Sequence, residues 1–171
     1  MDAAELRAMQ APIKERYRND PGAGLVTLRA RGALDDGGIA CKVETGRALA
    51  VAGLHPATGG SGLELCSGDM LLEALVACAG VTLKVVSTAL EIPLRGANVS
   101  AEGDLDFRGT LGVDRKAPVG FAAIRLRFEV DTDADQDRLD QLLKLTERYC
   151  VVYQTIRNGP QVEVALARGA G

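Results

Sequence analysis

The chain has 171 residues, 47% apolar, 25% charged and only 4% aromatic with no tryptophan, which fits one globular domain with a real core and excludes low-complexity disorder. Lys and Arg number 20 against 23 Asp and Glu, so the net charge of −3 gives no global field towards nucleic acid or an anionic membrane, and neither is expected as a partner. The single histidine, His55, excludes a zinc site built on two or three imidazoles and leaves only itself for a Ser-His-Asp triad.

The first residues are polar and acidic, with no charged patch ahead of an apolar stretch, so no signal peptide is expected and the chain reads as cytoplasmic. Residues 3–18 carry Leu6, Met9, Ile13 and Tyr17 at helical spacing, and Pro12 predicts a division into two short pieces. With the turn at Asn19, Asp20, Pro21 and Gly22, this makes residues 1–22 an N-terminal helical arm. Residues 25–30 alternate as a strand, and Asp35-Asp36-Gly37-Gly38 predicts a hairpin turn into a second strand over 39–44.

Residues 55–62 read as a loop. Ser67, as the expected cap, and Asp69, in the first turn, then open a long helix running to about Leu90. It is apolar almost all round, with a thin polar stripe of Glu73, Gly80, Lys84, Ser87, Thr88 and Glu91, as expected of a helix at the centre of a core. Its longest uncharged run, residues 74–83, falls short of the roughly 20 residues a membrane span needs.

Residues 99–107 and 124–130 alternate as two more strands, joined by a long loop over 109–119. A second helix over about 135–150 follows a cap at Thr132 or Asp133 and places Leu139, Leu142, Leu143 and Thr146 on one face. Asn158-Gly159-Pro160 is a turn, and residues 161–167 form a last alternating strand. Hairpin connections without a repeated βαβ unit predict an α+β class with antiparallel strands, and no repeat or linker divides residues 1–171.

The reactive resource left is thiol. Cys41, Cys66, Cys78 and Cys150 show neither C-x-x-C nor paired zinc-ligand spacing and are too few for a disulfide scaffold, so reduced cysteines are expected, with no metal and no cofactor. A free cysteine often only packs, the reading given to Cys41 on its strand and to Cys66, which could alternatively serve as a spare resolving thiol. The thiolate is the nucleophile, and nearby positive charge sets its pKa. Cys150 ends a helix, where the dipole disfavours a thiolate, so in a working pair Cys78 attacks and Cys150 resolves. Cys78 is too deep in its helix for help from that helix's own N-terminus and would need an arginine.

The segment from Asp69 through Cys78 to Leu83, with Glu147-Arg148-Tyr149-Cys150 and a short helix and Asn-Gly turn behind it, resembles the OsmC/Ohr family of osmotically induced and organic-hydroperoxide-resistance proteins. The resemblance runs from about Val26 to the end. It implies an OsmC-like fold in which antiparallel β-sheets wrap two central helices in an intertwined homodimer with two sites at the subunit interface. It also implies a peroxidase: Cys78 attacks an organic hydroperoxide and becomes a sulfenic acid, Cys150 condenses with it, and a dithiol reductant restores both. The apolar helix around Cys78 suits an alkyl or lipid hydroperoxide. Family members commonly carry proline and glutamate before the first-cysteine helix, where Ser67-Gly68-Asp69 stands here, and proline after the second cysteine, where Val151 stands. Asp69 is the nearest carboxylate to hold an activating arginine, and Arg47 is the first choice for that arginine, ahead of Arg29 and Arg31. The alternative is a non-catalytic OsmC-like module that binds an apolar ligand in the dimer cleft, with both cysteines merely packed.

Three features stand apart. Gly59-Gly60-Ser61-Gly62 lacks the following Gly-Lys-Ser/Thr of a phosphate loop and reads as a flexible loop. His55 is read as solvated or bonded to backbone, with a place at the cleft mouth beside Cys78 as the alternative. Glu73 is either paired with an arginine or exposed along the thin stripe.

Overall fold

A computed structural model of the chain describes residues 2–20, 31–34, 40–44 and 49–168. Its elements are α1 (Ala3–Asn19), β1 (Arg31–Leu34), β2 (Ala40–Glu44), β3 (Leu49–Gly53), β4 (Leu65–Cys66), α2 (Ser67–Ala89), β5 (Gly96–Leu105), α3 (Phe107–Thr110), β6 (Phe121–Asp131), α4 (Gln136–Tyr149) and α5 (Val151–Asn158). The class is α+β, as the hairpin pattern predicts. Strands β1 to β4 form one sheet in that order, and β5 pairs with β6 in a second.

Helix α2 is the hub. Its mean hydropathy of 1.8 over the most apolar window reaches that of a membrane span, yet it packs against β4, β5, α1, α4 and α5 as a core helix. Leu75, Ala79, Leu83 and Val86 recur at three- and four-residue spacing and make its buried face. Leu142 of α4 and Ile92 close the core over Leu83 and Val86, with Phe128 and Val130 of β6 packed alongside. On another face Val81 is 67% exposed. Ser87 and Gly80, expected on the polar stripe, face inward instead. Ser87 is buried and donates to the Lys84 carbonyl, while Gly80 faces β5, where a Cβ would meet Val99 at an ordinary contact distance of 3.7 Å. Glu73 is exposed, as one of its two readings has it.

The ends of the elements correct several expectations. Cys66, not Ser67, is the N-cap of α2, and its side chain makes no capping bond. The C-terminus of α2 is held by Arg138 of α4, whose guanidinium donates to the Leu90 and Glu91 carbonyls at 2.9 and 3.1 Å, a cation on the negative end of a helix. Asp135, not Thr132 or Asp133, caps α4 by accepting from the Arg138 amide; Thr132 donates to the Pro93 carbonyl. The N-terminal helix is continuous through Pro12, because Pro12 faces solvent, where water can satisfy the carbonyl its ring displaces.

Among the strands, β5 stops at Leu105, and Phe107 opens the one-turn α3 under an Asp106 cap. Strand β4 runs parallel to β3 over two residues, a departure from the all-antiparallel expectation. The expected strand over 25–30 and the turn over 35–38 lie outside the described residues. The largest correction is the chain end: residues 161–168 form no strand, and Val162, Val164 and Leu166 are exposed. Their alternation is that of a strand, but a strand exists only beside a hydrogen-bonded neighbour, and none pairs with it among the described residues.

Candidate active site

Cys78 lies three residues along α2 from the buried Leu75, at the border of the core face. Cys150 lies at the junction where α4 ends and α5 begins, and it is 1% exposed. Leu142, Thr146 and Cys150 follow at four-residue spacing and are all buried, on the side of α4 that packs against α2. That packing brings two residues 72 positions apart close enough for each thiol to shift the other's pKa.

The two sulfurs differ in acidity. Burial works to raise the Cys78 pKa, but the Val152 amide, the Cys150 thiol, the Val151 amide and the Thr82 hydroxyl bond the sulfur and together hold it below the ordinary thiol value. For Cys150 burial again acts first and raises its pKa. The hydrogen bond to Cys78 and the negative charge there push it further up, with only partial relief from the Tyr153 and Val152 amides. The favoured arrangement is a Cys78 thiolate accepting the proton still held by Cys150, a single coupled pair.

Among the described residues, positive potential at Cys78 comes from α5. Val151 and Val152 occupy its first two positions, whose amides have no intrahelical acceptor, and the helix dipole adds partial positive charge there. Among the described residues, none of the groups that lower the Cys78 pKa is a guanidinium. Sequence reasoning missed this source of activation; its signal was available, because a new helix begins immediately after Cys150 and a helix N-terminus lowers a neighbouring thiol pKa. Thr82, one turn beyond Cys78, was also missed. Its hydroxyl donates to the Cys78 carbonyl at 2.8 Å, and it is the smallest of the influences that lower the Cys78 pKa.

The other named residues fall elsewhere. Arg47 and Arg29 lie outside the described residues. Arg31 is on β1 opposite Glu44, and Cys41 is on β2 opposite Leu34 and Ala52. Asp69 stands in the first turn of α2, nine positions before Cys78: about 13 Å along the axis and half a revolution round it. It lines a separate cavity of about 360 Å³ with His55 and Cys66. Cys66 is twelve positions, about 18 Å, from Cys78 along the same axis, too far to resolve it within one chain. His55 has the backbone-bonded role: Nδ1 accepts from the Ala57 amide at 3.0 Å and the ring stacks on Phe107 with centroids 4.9 Å apart. Among the described residues no three His, Cys, Asp or Glu side chains converge as metal ligands.

A family model for OsmC-like protein matches residues 60–165. No curated protein matches the sequence. Solved structures do: an OsmC-like protein from Mycoplasma pneumoniae is 14% identical with a TM-score of 0.64, over 78% of this chain and 89% of that one. An organic hydroperoxide resistance protein OsmC from Legionella pneumophila is 18% identical with a TM-score of 0.60, over 78% and 91%. An organic hydroperoxide resistance protein from Elizabethkingia anophelis, with thiocyanate bound, is 14% identical with a TM-score of 0.61, over 79% and 91%. At such identities the likeness carries the fold alone. Because the family model spans more than half of the sequence and includes both paired cysteines, the chain belongs to the OsmC-like protein family.

Proposed function

We propose that the protein is a thiol peroxidase for organic hydroperoxides, with Cys78 as the attacking and Cys150 as the resolving thiol. The observation that supports it most is the asymmetric sulfur pair: the thiol with the lowered pKa accepts a hydrogen bond from the one with the raised pKa. The Cys78 thiolate attacks the proximal oxygen of ROOH, the O–O bond breaks, and with one proton the products are ROH and a sulfenic acid. The Cys150 thiol then displaces the sulfenyl oxygen as water, forming the Cys78–Cys150 disulfide. A dithiol reductant cleaves it by exchange and leaves as its own disulfide. The amides of Val151 and Val152 stabilise the thiolate, and Thr82 assists. Arg47 is retained as an activating guanidinium and Asp69 as its carboxylate partner, a role that Asp69 could fill only at a site completed by another copy of the chain.

The working unit in this proposal is a homodimer of single OsmC-like domains spanning residues 1–171, with residues 1–22 as the arm. What supports a second copy is the apolar surface one chain leaves open: Val81 of α2 and the alternating Val162, Val164 and Leu166 of the unpaired chain end. The test is intact mass before and after one equivalent of cumene hydroperoxide. The wild type is expected to lose two hydrogens in the Cys78 and Cys150 peptides. Cys78→Ser is expected to consume no peroxide, and Cys150→Ser to turn over once and leave a trappable sulfenic acid. A Cys78 that reacts with peroxide no faster than free cysteine would sink the proposal and leave an apolar-ligand module.

A further inference from the structure

Strands β5 and β6 are antiparallel neighbours that about two residues could join, yet residues 106–120 connect them. The excursion is held in one shape. Asp106 caps α3, the Leu111 and Val113 amides donate to the Phe107 and Arg108 carbonyls at 2.9 Å each, and the Ala117 amide closes on the Asp114 carbonyl at 3.2 Å. At the neck, Gly109 lies so close to the Ala117 and Pro118 carbonyls that no Cβ fits there. This ordered loop presents Leu111, Val113 and Val119 to solvent, 55%, 73% and 75% exposed. Its charges divide into two groups. Arg108 is neutralised by Asp106 and Asp114, at 2.6 and 3.8 Å, whereas Arg115 and Lys116 are exposed and form no ion pair with any described residue.

We infer that this loop docks on an anionic lipid surface, with Leu111, Val113 and Val119 entering the boundary between headgroups and acyl chains and Arg115 and Lys116 meeting lipid phosphates. The net charge of −3 gives the chain as a whole no attraction to such a surface. What favours it is local: exposed aliphatic side chains beside two unneutralised cations. Because the loop is already ordered, binding does not bear the entropy cost of fixing it. A protein partner asks for more surface, since a stable interface takes about 20–30 residues a side and the loop offers a handful. Lipid asks for none that is matched residue by residue. The binding does not rest on the peroxidase proposal.

The test is cosedimentation of the reduced full chain with vesicles of phosphatidylglycerol and phosphatidylcholine, against vesicles of phosphatidylcholine alone. Binding is expected only where phosphatidylglycerol is present, and to weaken as salt is raised. Arg115→Ala combined with Lys116→Ala is expected to weaken it about 25-fold, about fivefold for each charge, and Leu111→Asp combined with Val113→Asp to abolish it. Arg127→Ala removes an exposed cation on β6, away from the loop, and is expected to leave binding unmoved. No binding to the anionic vesicles, equal binding to both kinds, or binding that the loop variants leave intact overturns the inference. A lower solution mass in either loop variant also overturns it and assigns the loop to a second copy. Cys78→Ser is expected to bind vesicles as the wild type does, so lost peroxide chemistry with retained binding would refute only the peroxidase proposal.

Discussion

Thr146 is 1% exposed, and its hydroxyl oxygen is the buried side-chain polar atom without a hydrogen-bond partner among the described residues. It sits one turn before Cys150, whose amide donates to the Thr146 carbonyl at 2.9 Å. Leaving a buried hydroxyl unsatisfied costs about 1–3 kcal/mol. Thr146→Val removes the hydroxyl, keeps the β-branched shape and changes helix propensity little, so it is expected to stabilise the reduced protein by about 1–2 kcal/mol. For a chain of this size each kcal/mol moves Tm by about 2–4 °C, which predicts a rise of about 2–8 °C. Thr146→Ser is the control. It keeps the orphaned oxygen and deletes a buried methyl, so it is expected to lose about 1 kcal/mol. Both are read by thermal and urea unfolding of reduced protein at one fixed concentration, since self-association would make Tm concentration-dependent. If Thr146→Val is less stable than the wild type, the hydroxyl has a partner in solution and the reasoning fails.

Alkylation with iodoacetamide, followed by peptide mass as pH is raised, is expected to modify Cys78 at lower pH than a free thiol and Cys150 only at higher pH. Simultaneous modification would contradict the coupled pair. The stability linkage has opposite signs at the two sites. The depressed Cys78 pKa contributes stability above the unfolded thiol pKa that is lost as pH falls through the folded value; the raised Cys150 pKa contributes stability below the unfolded value that is lost as pH rises through the folded one. Arg138→Ala frees the two carbonyls at the end of α2 and is expected to cost about 1–2 kcal/mol in urea unfolding, where a neutral result would show that water replaces the guanidinium. Gly60→Ala would drive a Cβ into the Leu54 carbonyl, and is expected to lower stability by about 1–3 kcal/mol and to displace His55 from Phe107, seen in the His55 proton shifts. Arg125→Ala breaks only solvent-exposed pairs with Asp104 and Glu102, and is expected to leave the urea unfolding midpoint unmoved, where a clear drop would show a stronger pair than solvent screening allows.

The sequence by itself determined what depends on near neighbours. Alternation along 99–105 and 124–130 marks β5 and β6, and four-residue spacing marks α2 and α4, because side-chain direction follows from a strand period of two and a helix period of 3.6. It also separated Cys78 and Cys150 from the other two thiols, through their positions on helices. Caps were less legible: Cys66 and Asp135 hold places assigned to Ser67 and to Thr132 or Asp133, since several adjacent residues can cap and packing selects one. What only the tertiary structure decided is non-local. The contact of α2 with α4 joins two thiols 72 residues apart, and the start of α5 supplies amides to Cys78, a source of activation that depends on where a following helix is placed. Residues 161–167 carry the pattern of a strand and form none in this chain, because a pattern specifies which face a strand would bury and only a neighbouring edge makes it one.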